Sequence, residues 1–126
     1  MNGGAVSVSE SVAVRLQSVT FFNNSAGTGG AMYAEYESVV DADEVHFSNN
    51  TASWSGGGLA CAYDNIVRIQ GGVARANVAE GFGEGFVGGG AFHFDSGNSV
   101  EVLDFIAERI SHWPGELFSL RTRVQW

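Results

Sequence analysis

The chain has 126 residues, which fits a single domain, with 44% hydrophobic residues and a formal net charge of −8. All six basic residues are arginines and none are clustered, so the cationic footprint that neutralises phosphates is missing; nucleic acid is excluded as a partner and an anionic membrane surface is disfavoured. Eighteen glycines against one proline, without a Gly-X-Y period, exclude collagen, and no run approaches the roughly 18 apolar residues of a membrane-spanning helix.

Read from the start, Met1-Asn2-Gly3-Gly4 has no basic n-region and no apolar h-region, so no signal peptide is read there. A repeat then sets in. Four segments open alike: Gly3-Gly4-Ala5-Val6, Gly29-Gly30-Ala31-Met32, Gly57-Gly58-Leu59-Ala60 and Gly89-Gly90-Ala91-Phe92, at steps of 26, 28 and 32 residues. A β-branched run follows each pair: Ser11-Val12-Ala13-Val14, Ser38-Val39-Val40, Asn65-Ile66-Val67 and Ser99-Val100-Glu101-Val102. A third mark comes later. Phe21-Phe22-Asn23-Asn24-Ser25-Ala26 matches Phe47-Ser48-Asn49-Asn50-Thr51-Ala52; Asn77-Val78-Ala79 is a weaker copy, and Phe105 with Glu108 stands for a fourth.

Each unit thus carries three short β-type runs separated by turn-forming residues, and helical periodicity is hard to find before residue 100. Three strands per unit of about 26 residues predict a solenoid with three faces, about four coils stacked at the strand spacing of roughly 4.8 Å. Equivalent side chains should then form ladders. Val6, Met32, Ala60 and Phe92 make one, Phe21 and Phe47 a second with Ala74 as a small substitute, and Asn24, Asn50 and Asn77 an amide ladder at a turn. The glycine pairs suit a corner that needs positive φ or close backbone approach.

These residues resemble the repeat of the chlamydial polymorphic outer-membrane proteins, marked by GGA before an aliphatic residue and by FxxN. Gly3-Gly4-Ala5-Val6 and Gly29-Gly30-Ala31-Met32 match the first element; Phe21 to Asn24 and Phe47 to Asn50 match the second. The third unit lacks the phenylalanine and the fourth lacks the asparagine. The resemblance extends to the pectin-lyase-like superfamily. It implies an all-β, right-handed parallel β-helix and a place outside the cell or at its surface. That superfamily contains adhesins and autotransporter passengers as well as polysaccharide lyases and epimerases, so fold alone does not settle function.

The tail changes character. Ser111-His112-Trp113-Pro114-Gly115 reads as a break, after which Phe118, Leu120, Thr122, Val124 and Trp126 alternate with polar residues. Residues 1–110 are therefore expected to form the coils. Residues 111–126 should form a C-terminal capping strand or a partial coil, because an open solenoid end exposes unpaired backbone.

Chemistry-bearing patterns are few. Gly83-Glu84-Gly85-Phe86-Val87-Gly88 spells GxGxxG but leads into a strand and not a helix, so it reads as a loop. Asp41-Ala42-Asp43-Glu44 reads as a solvated acidic turn. His46, His93 and His112 lack metal-ligand spacing, the aspartates do not recur at one coil position, and Cys61 reads as a small buried residue. Asn23-Asn24-Ser25 and Asn49-Asn50-Thr51 place glycosylation sequons at Asn23 and Asn49, although the repeat itself also asks for those residues. Tyr33, Tyr36, Trp54, Tyr63, Phe82 and Phe86 crowd adjacent units and could line a binding strip. No cofactor or metal is expected. The function expected is a non-catalytic segment of a surface adhesin or scaffold that binds protein or glycan laterally, or meets further coils. The alternatives are a fragment of a lyase- or epimerase-like enzyme, and a self-stacking filament subunit.

Overall fold

The computed structural model describes residues 1–81, 90–95, 97–108, 111–112, 119–120 and 123–124. The chain is all-β, with no helix among these residues, and every strand pairing is parallel. The first repeat supplies β1 (Val6–Val8), β2 (Ala13–Gln17), β3 (Thr20–Phe22) and β4 (Ser25–Thr28). The second supplies β5 (Met32–Glu35), β6 (Val39–Ser48) and β7 (Thr51–Ser55); the third supplies β8 (Leu59–Ala62), β9 (Ile66–Arg75) and β10 (Val78–Ala79). Then come β11 (Phe92–Phe94), β12 (Ser99–Leu103), β13 (Ile106–Glu108), β14 (Ser111–His112), β15 (Ser119–Leu120) and β16 (Arg123–Val124).

Three sheets result, each taking strands from successive repeats. The five-stranded sheet runs β1-β5-β8-β11-β15 and the four-stranded sheet β14-β10-β7-β4. The seven-stranded sheet runs β16-β12-β9-β6-β2, with β3 on β6 and β13 on β9. The run 118–126, expected as a capping strand or a partial coil, contributes to two sheets. Its β15 extends the five-stranded sheet and its β16 the seven-stranded one.

The corners between strands explain the sequence punctuation. Left-handed backbone recurs in register at Glu10–Ser11, Tyr36–Glu37, Tyr63–Asp64 and Gly97; again at Ser18, Glu44, Gly71 and Asp104; and again at Asn23, Asn49 and Ala76. Asparagine tolerates this region better than other non-glycine residues, which accounts for the first Asn of each Asn-Asn pair. The second Asn has a different task. Asn24 donates from its backbone N–H (3.0 Å) and its amide (2.9 Å) to Asn50 Oδ1, and Asn50 does the same to Asn77 Oδ1 (3.1 and 2.9 Å). Asn50 and Asn77 also donate to the carbonyls of Phe21 and Phe47, so the buried amides are satisfied.

Side chains pointing inward form columns. Val14, Val40, Val67 and Val100 make one; Leu16, Ala42, Ile69 and Val102 make another. Phe21 opposes Phe47, which opposes Ala74. The space above the small Ala74 is taken from the side. Phe92 meets Phe47 edge-on at 5.5 Å and Phe105 at 5.0 Å, so an aromatic cluster keeps the volume filled where the ladder loses its ring.

Two registers differ from the sequence reading. The glycine pair of the third repeat is Gly56-Gly57, not Gly57-Gly58. Gly29 and Gly56 share positive φ (61° and 63°), while Gly58 occupies the place of Ala31, whose N–H it accepts. The inward ladder is accordingly Val6, Met32, Leu59 and Phe92, and Ala60 points outward. Likewise Ala107, not Phe105, is the register partner of Ala74, and Glu108 is that of Arg75, not of the asparagine column. Hydrogen-bonded equivalents therefore lie 26, 27 and then 33 residues apart.

Candidate binding site on the outer face

A strand in a sheet shows alternate residues to opposite faces. In the five-stranded sheet the outward set is Ser7, Tyr33, Ala60 and His93, one per repeat, with Glu35 and Ala62 forming the next column. Ala60 and Ala62 are small, so the column sinks between its larger members. The floor they make is walled by Tyr33 and by His93 with Asp95, and edged by Trp54 and Tyr63. The groove encloses about 460 Å³, and Thr28 and Ser55 add hydroxyls to its lining. This volume suits a single side chain or a small sugar ring.

Each wall has a reason to be where it is. Trp54 leaves β7 beside Gly27, where an added Cβ would stand 3.6 Å from the indole Cδ1. Tyr63 sits in the left-handed corner after β8. Asp95 follows β11 directly and its N–H bonds to the Cys61 carbonyl at 2.8 Å. Tyr33 is buried, and its hydroxyl donates to Glu35 at 3.0 Å; burial first, and that hydrogen bond second, push the phenol well above its ordinary value. Burial alone pushes the Cys61 thiol well up, and its side chain belongs to the inner core. His93 points outward, as its strand position implies, yet is buried in the groove wall, whereas His46 is exposed on β6.

Asn23 and Asn49 are exposed at corresponding corners with φ of 58° and 54°. Gly3 and Gly29 carry positive φ, whereas Gly4, Gly30 and Gly57 are needed for close approach: a Cβ on Gly30 would lie 2.2 Å from the Gly57 carbonyl oxygen. Gly90 takes the same part for Gly57. Gly89, Phe82 and the GxGxxG run lie outside the described residues. Among those described, no group of three His, Cys, Asp or Glu could hold a metal ion, and no helix is long and apolar enough to cross a membrane.

Three features escaped the sequence reading. A second amide ladder runs from Ser38 N–H to Asn65 Oδ1 (3.0 Å) and from Asn65 to Asn98 Oδ1 (2.8 and 2.9 Å). An outward column of alternating sign, Arg15, Asp41, Arg68 and Glu101, runs across the seven-stranded sheet, with Arg68 3.1 Å from Asp41 and 3.8 Å from Glu101. The third is the groove itself.

The strands of successive repeats pair parallel and in register, with a lateral groove on one sheet. Residues 18–35 and 44–62 match the model of the Chlamydia polymorphic membrane protein (Chlamydia_PMP) repeat, so these two stretches are similar to that repeat. The matched stretches contain Phe21, Asn24 and Gly29–Gly30 of one unit and Phe47, Asn50 and Gly56–Gly57 of the next. The family so matched is one of chlamydial outer-membrane, surface proteins. Neither the curated proteins nor the solved structures contain a match to the chain.

Proposed function

We propose that this chain is a non-catalytic segment of a cell-surface adhesin or extracellular scaffold. In this reading the three parallel sheets are the faces of a right-handed parallel β-helix. Residues 1–110 build its coils, and 111–126 continue them as a partial one. The observation that carries the function is the groove over Ala60 and Ala62, edged by Trp54 and Tyr63. Aromatic faces beside hydroxyls and a carboxylate, held on a rigid sheet, make a recognition surface for protein or glycan. The family's place at the cell surface agrees with that use.

The test compares the wild-type chain with Trp54→Ala for binding to arrayed glycans and to a panel of extracellular proteins. Saturable binding lost in the variant supports the reading. Turnover of a polysaccharide that disappears on mutating Asp95 or Arg68 would replace it with the lyase or epimerase alternative. A stacking role has two observations in its favour: β1 and β2 lie at the ends of their sheets, and Asn24 Oδ1 accepts no hydrogen bond from the described residues. Concentration-dependent filaments in light scattering would support stacking, and a monodisperse monomer would count against it.

A further inference from the structure

Beside the groove, the corner between the five-stranded and seven-stranded sheets shows an unusual surface. Tyr36 and Tyr63, one repeat apart, stack in parallel with ring centroids 5.1 Å apart and 9° between planes, yet are 50% and 47% exposed. Three residues beyond each stands an outward aliphatic side chain of the next strand, Val39 (38% exposed) and Ile66 (57%), which face each other across β6 and β9. Four large apolar side chains therefore line one corner in two successive repeats. Isolated exposed apolar residues are ordinary; a set repeated in register is a mark of an interaction surface.

The corner is also acidic. Glu37 and Asp64 follow the two tyrosines and are exposed, and Glu35 holds the Tyr33 hydroxyl just before the first. The described arginine nearest along these strands, Arg68, is paired with Asp41 and Glu101. The backbone is fixed: Tyr36 N–H bonds to the Ala62 carbonyl and Glu37 N–H to the Tyr63 carbonyl, both at 3.2 Å. All four turn residues have left-handed φ, between 53° and 63°. Bulky side chains there are strained, and that strain persists without benefit to the core, since the rings are half in solvent.

We propose that this ridge docks a basic, amphipathic segment of a partner polypeptide. Its apolar side chains would pack along Tyr36, Val39, Tyr63 and Ile66, and its arginine or lysine side chains would meet Glu37, Asp64 and the tyrosine faces. Charge complementarity selects this occupant: carboxylates beside aromatic rings attract a cation by both ion pairing and the ring quadrupole. The aliphatic members argue against a sugar, which needs flat aromatic platforms and hydrogen-bonding groups. The inference rests on the lateral-binding reading and names the partner's chemistry.

The test uses the whole chain and a short synthetic peptide alternating leucine with arginine, with glutamate-for-arginine and serine-for-leucine versions as controls. The wild type binds the first peptide, more weakly as salt rises, and the controls poorly. The double variant Tyr36→Asn/Tyr63→Asn suits left-handed backbone and should fold, and its affinity falls by roughly tenfold or more. The variant Glu37→Asn/Asp64→Asn leaves the rings in place and also loses affinity, while Asp41→Asn changes nothing. Equal binding by the ridge variants, or equal binding of the glutamate peptide, overturns the inference. If the ridge variants bind their extracellular target like wild type while Trp54→Ala does not, the ridge inference fails and the groove reading stands.

Discussion

Phe21 and Phe47 lie one repeat apart and stack with ring centroids 5.2 Å apart and 14° between their planes. The second ring is almost fully buried and also meets Phe92 edge-on, so it joins two repeats to the aromatic cluster above. Phe47→Ala empties that junction. It should cost about 3–5 kcal/mol, read as a lower midpoint in urea with an unchanged slope.

Asn50 sits between two neighbours that depend on it. Its oxygen accepts two hydrogen bonds from Asn24, and its amide donates to Asn77 Oδ1 and the Phe21 carbonyl. Asn50→Ala removes the acceptor for the Asn24 N–H and amide and the donor to the Phe21 carbonyl, at about 1–3 kcal/mol for each buried group left unsatisfied. Thermal denaturation should show a larger loss than for Asn24→Ala, where the ladder ends.

The third repeat departs from the Asn-Asn pattern at Ala76, which holds φ of 53° where Asn23 and Asn49 stand in the first two. Ala76→Asn should therefore stabilise the chain, by up to about 1 kcal/mol, and Ala76→Gly should act in the same direction. Unchanged or lower stability in both variants would show that the corner's backbone is not strained.

Burial raises both the Cys61 thiol and the Tyr33 phenol. The unfolded chain then gives up these protons at lower pH than the folded one. Their contribution to stability is complete below the ordinary thiol value, about 9, and fades as pH rises toward the folded-state values. Urea midpoints should fall between pH 8 and pH 11, and Cys61→Ala should reduce the fall. The native thiol should resist disulfide reagents until denaturant is added.

The glycine pairs separate into two tasks that a single substitution series can resolve. Gly30→Ala drives a methyl group into the Gly57 and Thr51 carbonyl oxygens, at 2.2 and 2.6 Å, so it should be strongly destabilising although φ there is not positive. Refolding yield and melting temperature both report it.

The parts of this fold that were legible in the sequence are those where one residue type recurs at one place. Asn24, Asn50 and Asn77 could be aligned because nothing but an amide serves there, and Phe21 and Phe47 because the core accepts a ring. The register slipped where chemistry was redundant. Three consecutive glycines, Gly56 to Gly58, offer two ways to place a pair, and the positive φ of Gly56 and the Met32–Leu59 register decide between them. The second amide ladder was hidden because its first member is Ser38, and because Asn98 precedes a serine that mimics the start of the next strand. The groove and the charge column belong to outward positions, which carry no fixed residue type. Each is assembled from residues 26 to 33 positions apart, so neither exists until the register is known.

The longest step, from Asn65 to Asn98, is six residues greater than the step before it, yet the asparagines still meet and the strands on either side still pair in register. The scaffold thus accepts added length between two units without transmitting a shift to the strands on either side. A one-residue insertion inside β9 would turn the following side chains of that strand to the opposite face, whereas a peptide spliced between Gly81 and Gly90 would leave the ladders intact. Such a molecule can diversify its surface by splicing at corners and extend itself by copying whole units, and its asparagine ladders supply the reading frame in which both kinds of change remain foldable.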